Sequence, residues 1–365
     1  MAGRGPSVAT FDRSRALPPS SEPPTRDTAS PPSSGIDIAS RRLALERAIR
    51  EADSGVPEAP GRREDLALAA HAAWAGGVAA CRHYGGDLDI RDKGDDDPVT
   101  AADHAANAAI LEILHGRRPD DAVLSEESRP PADRGRGGRL WIVDPLDGTK
   151  EFIARNGEFS VMVGLAEDGR AVLGAVYQPA TDRLFAGFSR GGAWVVAGAP
   201  HGPEVDRLAL PAGSDPPRPI RFARSRSHPD ERLCRLSDAL GDIEEVISGS
   251  VGIKCALVAQ GLADLYVHPV PFLKEWDTCA PEAVLRGAGG TVTDCASEPL
   301  AYGKVDPVQP HGIFAATEAA RRAARPILRE VVRGWIDAGA GGGDEPRATR
   351  DPRAADHDST QRSEA

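Results

Sequence analysis

The sequence of 365 residues has only five cysteines, Cys81, Cys234, Cys255, Cys279 and Cys295, and none forms a CxxC pair. An odd number without close pairs argues against a disulfide framework or a thiolate zinc site, and reads as free thiols in a reducing compartment. No run of about 18 apolar residues occurs, so no membrane span is expected. Positive charge is not in excess: 44 Lys and Arg face 55 Asp and Glu, a net charge of -11. Such a surface repels a phosphate backbone, which excludes a non-specific binder of nucleic acid polymers but leaves room for a small anion in a locally cationic pocket. The first 35 residues lack the apolar stretch of a secretory signal. Their Pro, Ser and Arg content is expected to form a disordered tail over 1–36, with a transit peptide or a misplaced start as the other readings. The polar, Gly-rich stretch over 339–365 is likewise expected to be disordered, because it cannot bury enough apolar surface to offset chain entropy. No internal repeat is visible. Together these features predict a cytoplasmic protein.

Hydrophobic residues make up 40% of the chain, enough for a sizeable core. Two parts are expected between the tails, an N-terminal α+β sub-domain over 37–210 and a C-terminal α/β sub-domain over 211–338. In the first, Leu66 to Tyr84 is Ala-rich and Pro-free, and reads as a helix. A second helix follows, with Ala106, Ile110, Ile113 and Leu114 forming its apolar stripe, Asp103 near its N-terminal end and Gly116 at its close. "RLWIVD" is a short buried strand. "FSVMVGLA", "AVLGAVYQP", "RLFAGFS" and "AWVVAG", separated by turn-like "EDGR", "ATD" and "RGG", predict an antiparallel meander. After a Pro-rich break at 211–219, strands and helices alternate. "TCAPEAVLRGAG" is one of those helices, with Pro281 acceptable only in its first turn. A cleft between two packed α/β units is the expected place for a site.

The stretch "WIVDPLDGTKEF", Trp141 to Phe152, carries the chemistry. Asp144 ends the buried strand, Pro145 turns the chain, and Asp147 follows after Leu146. Gly148 permits close backbone approach, and Thr149 opens a helix whose free N–H groups suit an anion. Asp-Gly alone is most often a capped turn. Two carboxylates beside an anion site make sense when cations lie between them, and hard oxygen donors with open water positions suit Mg²⁺.

Four motifs stand in one order: "DDPVTAAD" ending at Asp103, "LSEES" over 124–128, "DPLDGTKEF" over 144–152 and "EWDTCAPEAVLRGAGG" over 275–290. In this the chain resembles the inositol monophosphatase-like, lithium-sensitive, metal-dependent phosphatases, over about residues 60–325. The resemblance implies an α/β (α+β) fold, the layered α-β-α-β-α sandwich of the inositol monophosphatase and fructose-1,6-bisphosphatase type. It implies two or three Mg²⁺ per site. Glu126, Asp144 and the carbonyl of Leu146 would hold one ion; Asp144, Asp147 and Asp277 would hold a second. Thr149 and Asp103 would orient and deprotonate the attacking water, and the amides of Gly148 and Thr149 would receive the phosphate. Glu127, beside Glu126, is the other candidate ligand. Physical chemistry supports the assignment: two divalent ions about 3.5–4 Å apart suit an in-line displacement. A threonine hydroxyl between water and a carboxylate makes a short proton relay. Acidic groups clustered at low dielectric repel one another unless cations intervene.

The "TKEF" continuation, "SRSH" over 225–228 and "SVGIKCALVAQGLADLYV" resemble the branch that hydrolyses bisphosphorylated nucleosides, the bisphosphate nucleotidases. That resemblance implies nucleotide contacts by His228 and Lys254, the lysine being a cation near a helix start that could face a second phosphate. Arg224 and Arg226, on one face of a strand, could add charge. Val251 stands where yeast- and bacterial-type members tend to have Ser, His268 where they often have Arg, and Asn107 where a carboxylate is common. The implied reaction is removal of the 3'-phosphate of 3'-phosphoadenosine 5'-phosphate, clearing a by-product of sulfate activation and sulfonation. Inositol monophosphate, fructose 1,6-bisphosphate and histidinol phosphate are the rival substrates, and a non-catalytic binding protein on the same fold is the rival class. A monomer or homodimer is expected.

Overall fold

The structure, a computed structural model, describes residues 37–51, 61–85, 91–92, 98–99, 101–129, 138–198, 202–213, 218–227, 230, 232–269 and 271–339. Both expected tails lie outside the described residues, except that Gly339 ends the last helix. In chain order the elements are α1 (Ile38–Glu51), α2 (Arg62–Cys81), β1 (Arg91–Asp92), β2 (Pro98–Val99), α3 (Ala101–Arg117), β3 (Ala122–Ser125), β4 (Arg139–Asp147), α4 (Thr149–Ala154), β5 (Ser160–Glu167), β6 (Arg170–Gln178), β7 (Arg183–Phe188), β8 (Gly192–Ala197) and β9 (Glu204–Leu208). There follow β10 (Ile220–Ser225), α5 (Arg232–Leu240), β11 (Ile243–Ser248), α6 (Val251–Ala259), β12 (Leu265–His268), α7 (Glu275–Gly287), β13 (Thr291–Thr293), β14 (Ile313–Ala316) and α8 (Glu318–Gly339).

Strands β3 to β9 form one seven-stranded sheet in sequence order, with β3 parallel to β4 and every later neighbour antiparallel. A second, five-stranded sheet has the order β11-β10-β12-β14-β13, parallel among β11, β10 and β12 and antiparallel beyond. Both faces of the first sheet are covered, so its strands are apolar at odd and even positions alike. One face, with Trp141, Val143, Val161, Val163, Leu173 and Tyr177, packs against α1, α2 and α3. The other, with Ile142, Met162, Val176 and Phe185, packs with α6 and α7, and these helices reach Tyr266 and Ala315 of the second sheet. Phe222, Leu265 and Phe314 on that sheet's far side meet α5 and α8. The layers therefore run α-β-α-β-α.

A column of glycines sets the height of α7 over the first sheet. Gly164, Gly174 and Gly187 are cross-strand neighbours on β5, β6 and β7. A Cβ built on Gly174 would lie 2.5 Å from Ala280 Cα, and one on Gly164 would lie 2.7 Å from Cys279 Sγ. Only a sheet surface without side chains lets the helix backbone come this close.

Two local expectations are corrected. Helix α7 starts at Glu275, so Pro281 stands inside it and not in its first turn. The start is held by a local bond, the Lys274 amide to Asp277, and by tertiary bonds that a local pattern does not carry: Glu275, fully buried, accepts from the amides of Gly303 at 2.7 Å and Lys304 at 2.9 Å. Strand β4 does not end at Asp144 either. It continues to Asp147 across a register shift, with Asp144 opposite Met162 and Asp147 opposite Ser160. Pro145, which cannot donate to the ladder, stands in that bulge, where a proline is tolerated.

Candidate active site

The bulge in β4 decides where two acids point. Residues three apart on a regular strand face opposite sides of the sheet. One extra residue between Asp144 and Asp147 restores the phase, because their partners Met162 and Ser160 are two apart. Asp277 arrives from the first turn of α7. Among the described residues, Asp144, Asp147 and Asp277 form a group in which one carboxylate oxygen from each lies within 4.8 Å of the other two.

Each carboxylate has one oxygen tied by the protein. Asp144 Oδ1 accepts from the Leu146 amide at 3.0 Å. Asp277 Oδ2 accepts from the Lys274 amide at 2.5 Å. Asp147 Oδ2 accepts from Ser250 Oγ at 2.5 Å and the Gly252 amide at 2.8 Å, with Ser160 Oγ at 3.4 Å. The second oxygen of each is left for another partner.

Negative charge is concentrated here, with Lys254 as a counterweight to Asp147 and not to Asp144. Burial, then the carboxylates of Glu126, Asp147 and Asp277, pushes Asp144 well above the ordinary carboxylate range. Burial, then Asp147, does the same to Asp277. Burial also raises Asp147, with Lys254 and the Ser250 hydroxyl pulling it back. A divalent cation relieves all three effects at once, and an all-oxygen donor set suits a hard ion. The residues present therefore fit a cation.

Glu126 is outside the tight trio but within electrostatic reach of it, since its charge raises both Asp144 and Asp277. It follows β3 directly, and its amide donates to the Val143 carbonyl at 3.2 Å, which sets it beside Asp144. Glu127 points elsewhere: Oε2 lies 3.7 Å from His104 Nδ1 on α3.

Thr149 and Asp103 meet as expected. Thr149 Oγ1 lies 3.3 Å from Asp103 Oδ1 and 3.3 Å from the Leu146 carbonyl, so its one proton has a choice of acceptors. Asp103 is buried on the first turn of α3. Gly148 takes φ 95° and leads into the short α4 that begins with Thr149. Four residues along α3 from Asp103, Asn107 accepts from Ser125 Oγ at 2.7 Å and donates to Ser128 Oγ at 3.2 Å. Its amide makes both bonds, one as acceptor and one as donor, which a carboxylate could not.

Of the two residues expected to contact a nucleotide, the structure describes one. His228 lies outside the described residues. Lys254 does not face an open pocket: it is 2% exposed, and its Nζ donates to the carbonyls of Ser250 at 2.6 Å, Gly249 at 3.0 Å and Ser248 at 3.5 Å. A lysine in the first turn of α6 reaches back over the preceding loop, where the carbonyls are. Arg226 forms two 2.7 Å bonds to Glu158, and Arg224 pairs with Glu245 at 2.5 Å, so neither side chain brings an unneutralised charge.

Sequence reasoning missed Ser250, Ser160 and Glu158. Ser250 is legible in part, since a serine before "VGIK" is a helix cap, and its hydroxyl accepts from the Ile253 amide at 3.1 Å. Its bond to Asp147 spans 103 residues and leaves no local trace. Glu158 accepts from both Arg226 and the Gly249 amide, joining the segment before β5 to the ends of β10 and β11.

Residues 62–332 match the model of the inositol monophosphatase family. The chain belongs to this family. It is 40% identical over 216 residues to the 3'(2'),5'-bisphosphate nucleotidase CysQ of Shigella flexneri, covering 59% of this chain and 83% of that one. It is 34% identical over 279 residues to the 3'-phosphoadenosine 5'-phosphate phosphatase of Mycobacterium leprae, covering 74% and 93%. Among solved structures, CysQ from Bacteroides thetaiotaomicron, a bacterial member of the family, superposes with a TM-score of 0.59 at 35% identity, over 70% of this chain and 98% of that one. Among the described residues no helix is long and apolar enough to cross a membrane.

Proposed function

We propose that this family member is a Mg²⁺-dependent phosphomonoesterase that removes the 3'-phosphate of 3'-phosphoadenosine 5'-phosphate, giving AMP and inorganic phosphate. The observation that carries the chemistry is the convergence of Asp144, Asp147 and Asp277 next to the Thr149–Asp103 pair. The observation that favours this ester is the similarity to relatives named for it.

Asp144, Asp147 and Asp277, with Glu126 and the Leu146 carbonyl, would hold Mg²⁺. When bound, these ions supply a more acidic water and neutralise charge on the phosphate. The chain does the rest. Thr149 Oγ1 accepts a hydrogen bond from the attacking water while donating to Asp103, which fixes the water's direction and passes its proton to the carboxylate. The water oxygen forms a bond to phosphorus as the bond from phosphorus to the 3'-oxygen breaks, and that oxygen takes a proton from a solvent water as it leaves. The amides of Gly148 and Thr149 orient the phosphate oxygens. The same reading makes the enzyme lithium-sensitive, cytoplasmic, and a monomer or homodimer.

Purified protein given 3'-phosphoadenosine 5'-phosphate, inositol 1-phosphate, fructose 1,6-bisphosphate and histidinol phosphate at equal concentration with Mg²⁺ tests the substrate. The nucleotide should release phosphate fastest; a preference for inositol 1-phosphate overturns the choice of ester while leaving the metal site intact.

A further inference from the structure

The buried ammonium of Lys254 needs an explanation other than a ligand. It lies beneath the turn joining β11 to α6 and satisfies three successive carbonyls, Ser248, Gly249 and Ser250. Its Nζ also lies over the Tyr266 ring, 5.2 Å from the ring centre. A buried charge is retained only where it is fully engaged. Ser250 sits at φ 50°, a region a residue with a side chain seldom adopts and keeps only when its surroundings enforce it. With its backbone held in that shape, the Ser250 hydroxyl and the Gly252 amide both reach the same oxygen of Asp147, Oδ2. Gly249, within the same turn, donates its amide to Glu158 at 2.7 Å, which ties the turn to the segment before β5.

We propose that Lys254 is a positioning residue for Asp147: it pins the carbonyls of the 248–250 turn so that Ser250 and Gly252 hold one carboxylate oxygen and aim the other at a cation. This deepens the functional reading above, since it rests on Asp147 being a cation ligand. It differs from the nucleotide-contact role expected for Lys254, because the ammonium donates to the carbonyls of the turn and would act on Asp147 through them.

The chain is bonded so that each link can be cut separately. Lys254→Met keeps the length of the side chain and deletes the three donated bonds. Ser250→Gly accepts φ 50° without strain and deletes the hydroxyl that holds Asp147, together with its cap on the Ile253 amide and its contact with Ser160, while leaving the Lys254 bonds to the turn carbonyls in place. Mg²⁺ binding is measured by calorimetry on the full chain without nucleotide, with circular dichroism and thermal melting to show that each variant is folded. The wild type binds Mg²⁺, and both variants bind it about tenfold more weakly. The double variant loses less than the product of the two single losses, because both changes act on one turn. AMP affinity at saturating Mg²⁺ stays within about twofold of wild type. If Lys254→Met fails to fold, Ser250→Gly still decides whether the turn controls the ion.

Folded variants whose Mg²⁺ affinity equals wild type overturn the proposal, as does Lys254→Met with normal Mg²⁺ affinity and weakened AMP binding, which would return the lysine to the nucleotide. A wild-type chain that takes up no Mg²⁺ overturns the cation reading itself, a result distinct from either.

Discussion

A methyl group on Gly174 would come within 2.5 Å of Ala280 Cα, so the central helix α7 rests on the bare backbone of β6. Three residues before Ala280, the same helix carries Asp277 into the acidic trio. Sheet packing and the placement of a site carboxylate are thus one geometric fact. Gly174→Val is expected to push α7 outward, with an overpacking cost of about 1–3 kcal/mol in urea denaturation and weaker Mg²⁺ binding in the folded fraction. A variant with unchanged stability and unchanged Mg²⁺ affinity would show that the helix height is not set here.

Thr149→Val removes the hydroxyl between Asp103 and the water while keeping its shape. A proton relay of this kind contributes roughly 10²- to 10⁴-fold, so kcat should fall by about that factor with Mg²⁺ affinity nearly unchanged. Thr149→Ser, which retains the hydroxyl, should keep most of the activity. Equal losses in the two variants would contradict the relay.

Metal and pH should be linked in stability. Asp144 and Asp277 have carboxyls raised above their ordinary values, first by burial and then by neighbouring acids. In the ion-free protein the folded state therefore binds more protons than the unfolded chain, and stability falls as pH rises above the usual carboxylate range. Mg²⁺ replaces those protons. The rise in melting temperature on adding Mg²⁺ should be larger at pH 8 than at pH 5.5, and an equal rise at both would contradict the assignment.

Glu282 offers a control away from the ions. Burial raises its carboxyl from 4.5 to about 7, although Tyr302 Oη donates to it at 2.6 Å and Arg286 lies 3.2 Å away. A raised carboxyl stabilises the fold below the unfolded value and loses that contribution as pH climbs through the folded one. Glu282→Gln, which keeps an acceptor for Tyr302, should therefore gain stability relative to wild type between about pH 5 and pH 8, by roughly 3 kcal/mol at the alkaline end. Urea denaturation of both proteins across that range measures the difference.

What the sequence reveals and what it hides divide along the range of the interactions. The meander is legible because each hairpin is local, and β5 to β8 fall where apolar runs alternate with "EDGR", "ATD" and "RGG". The acids of the trio are legible through motif order. The way Asp144 and Asp147 come to share a face is not, because a bulge is defined by the partner strand, here Met162 and Ser160. The start of α7 is hidden in part for the same reason, since Gly303 and Lys304, nearly thirty residues on, hold Glu275 there. The resemblance implies a nucleotide contact for Lys254; the carbonyls that its ammonium serves belong to a turn whose shape only the folded chain reveals.

The central claim is that the β4 acids and Asp277 act together, through divalent ions, on a phosphate ester. The most direct measurement is phosphate release from 3'-phosphoadenosine 5'-phosphate across a Mg²⁺ titration, for wild type and for Asp144→Asn. The variant should remain folded and lose activity by about 10³-fold or more at every Mg²⁺ concentration. Release by Asp144→Asn within tenfold of wild type, or wild-type release that does not depend on Mg²⁺, would contradict the account.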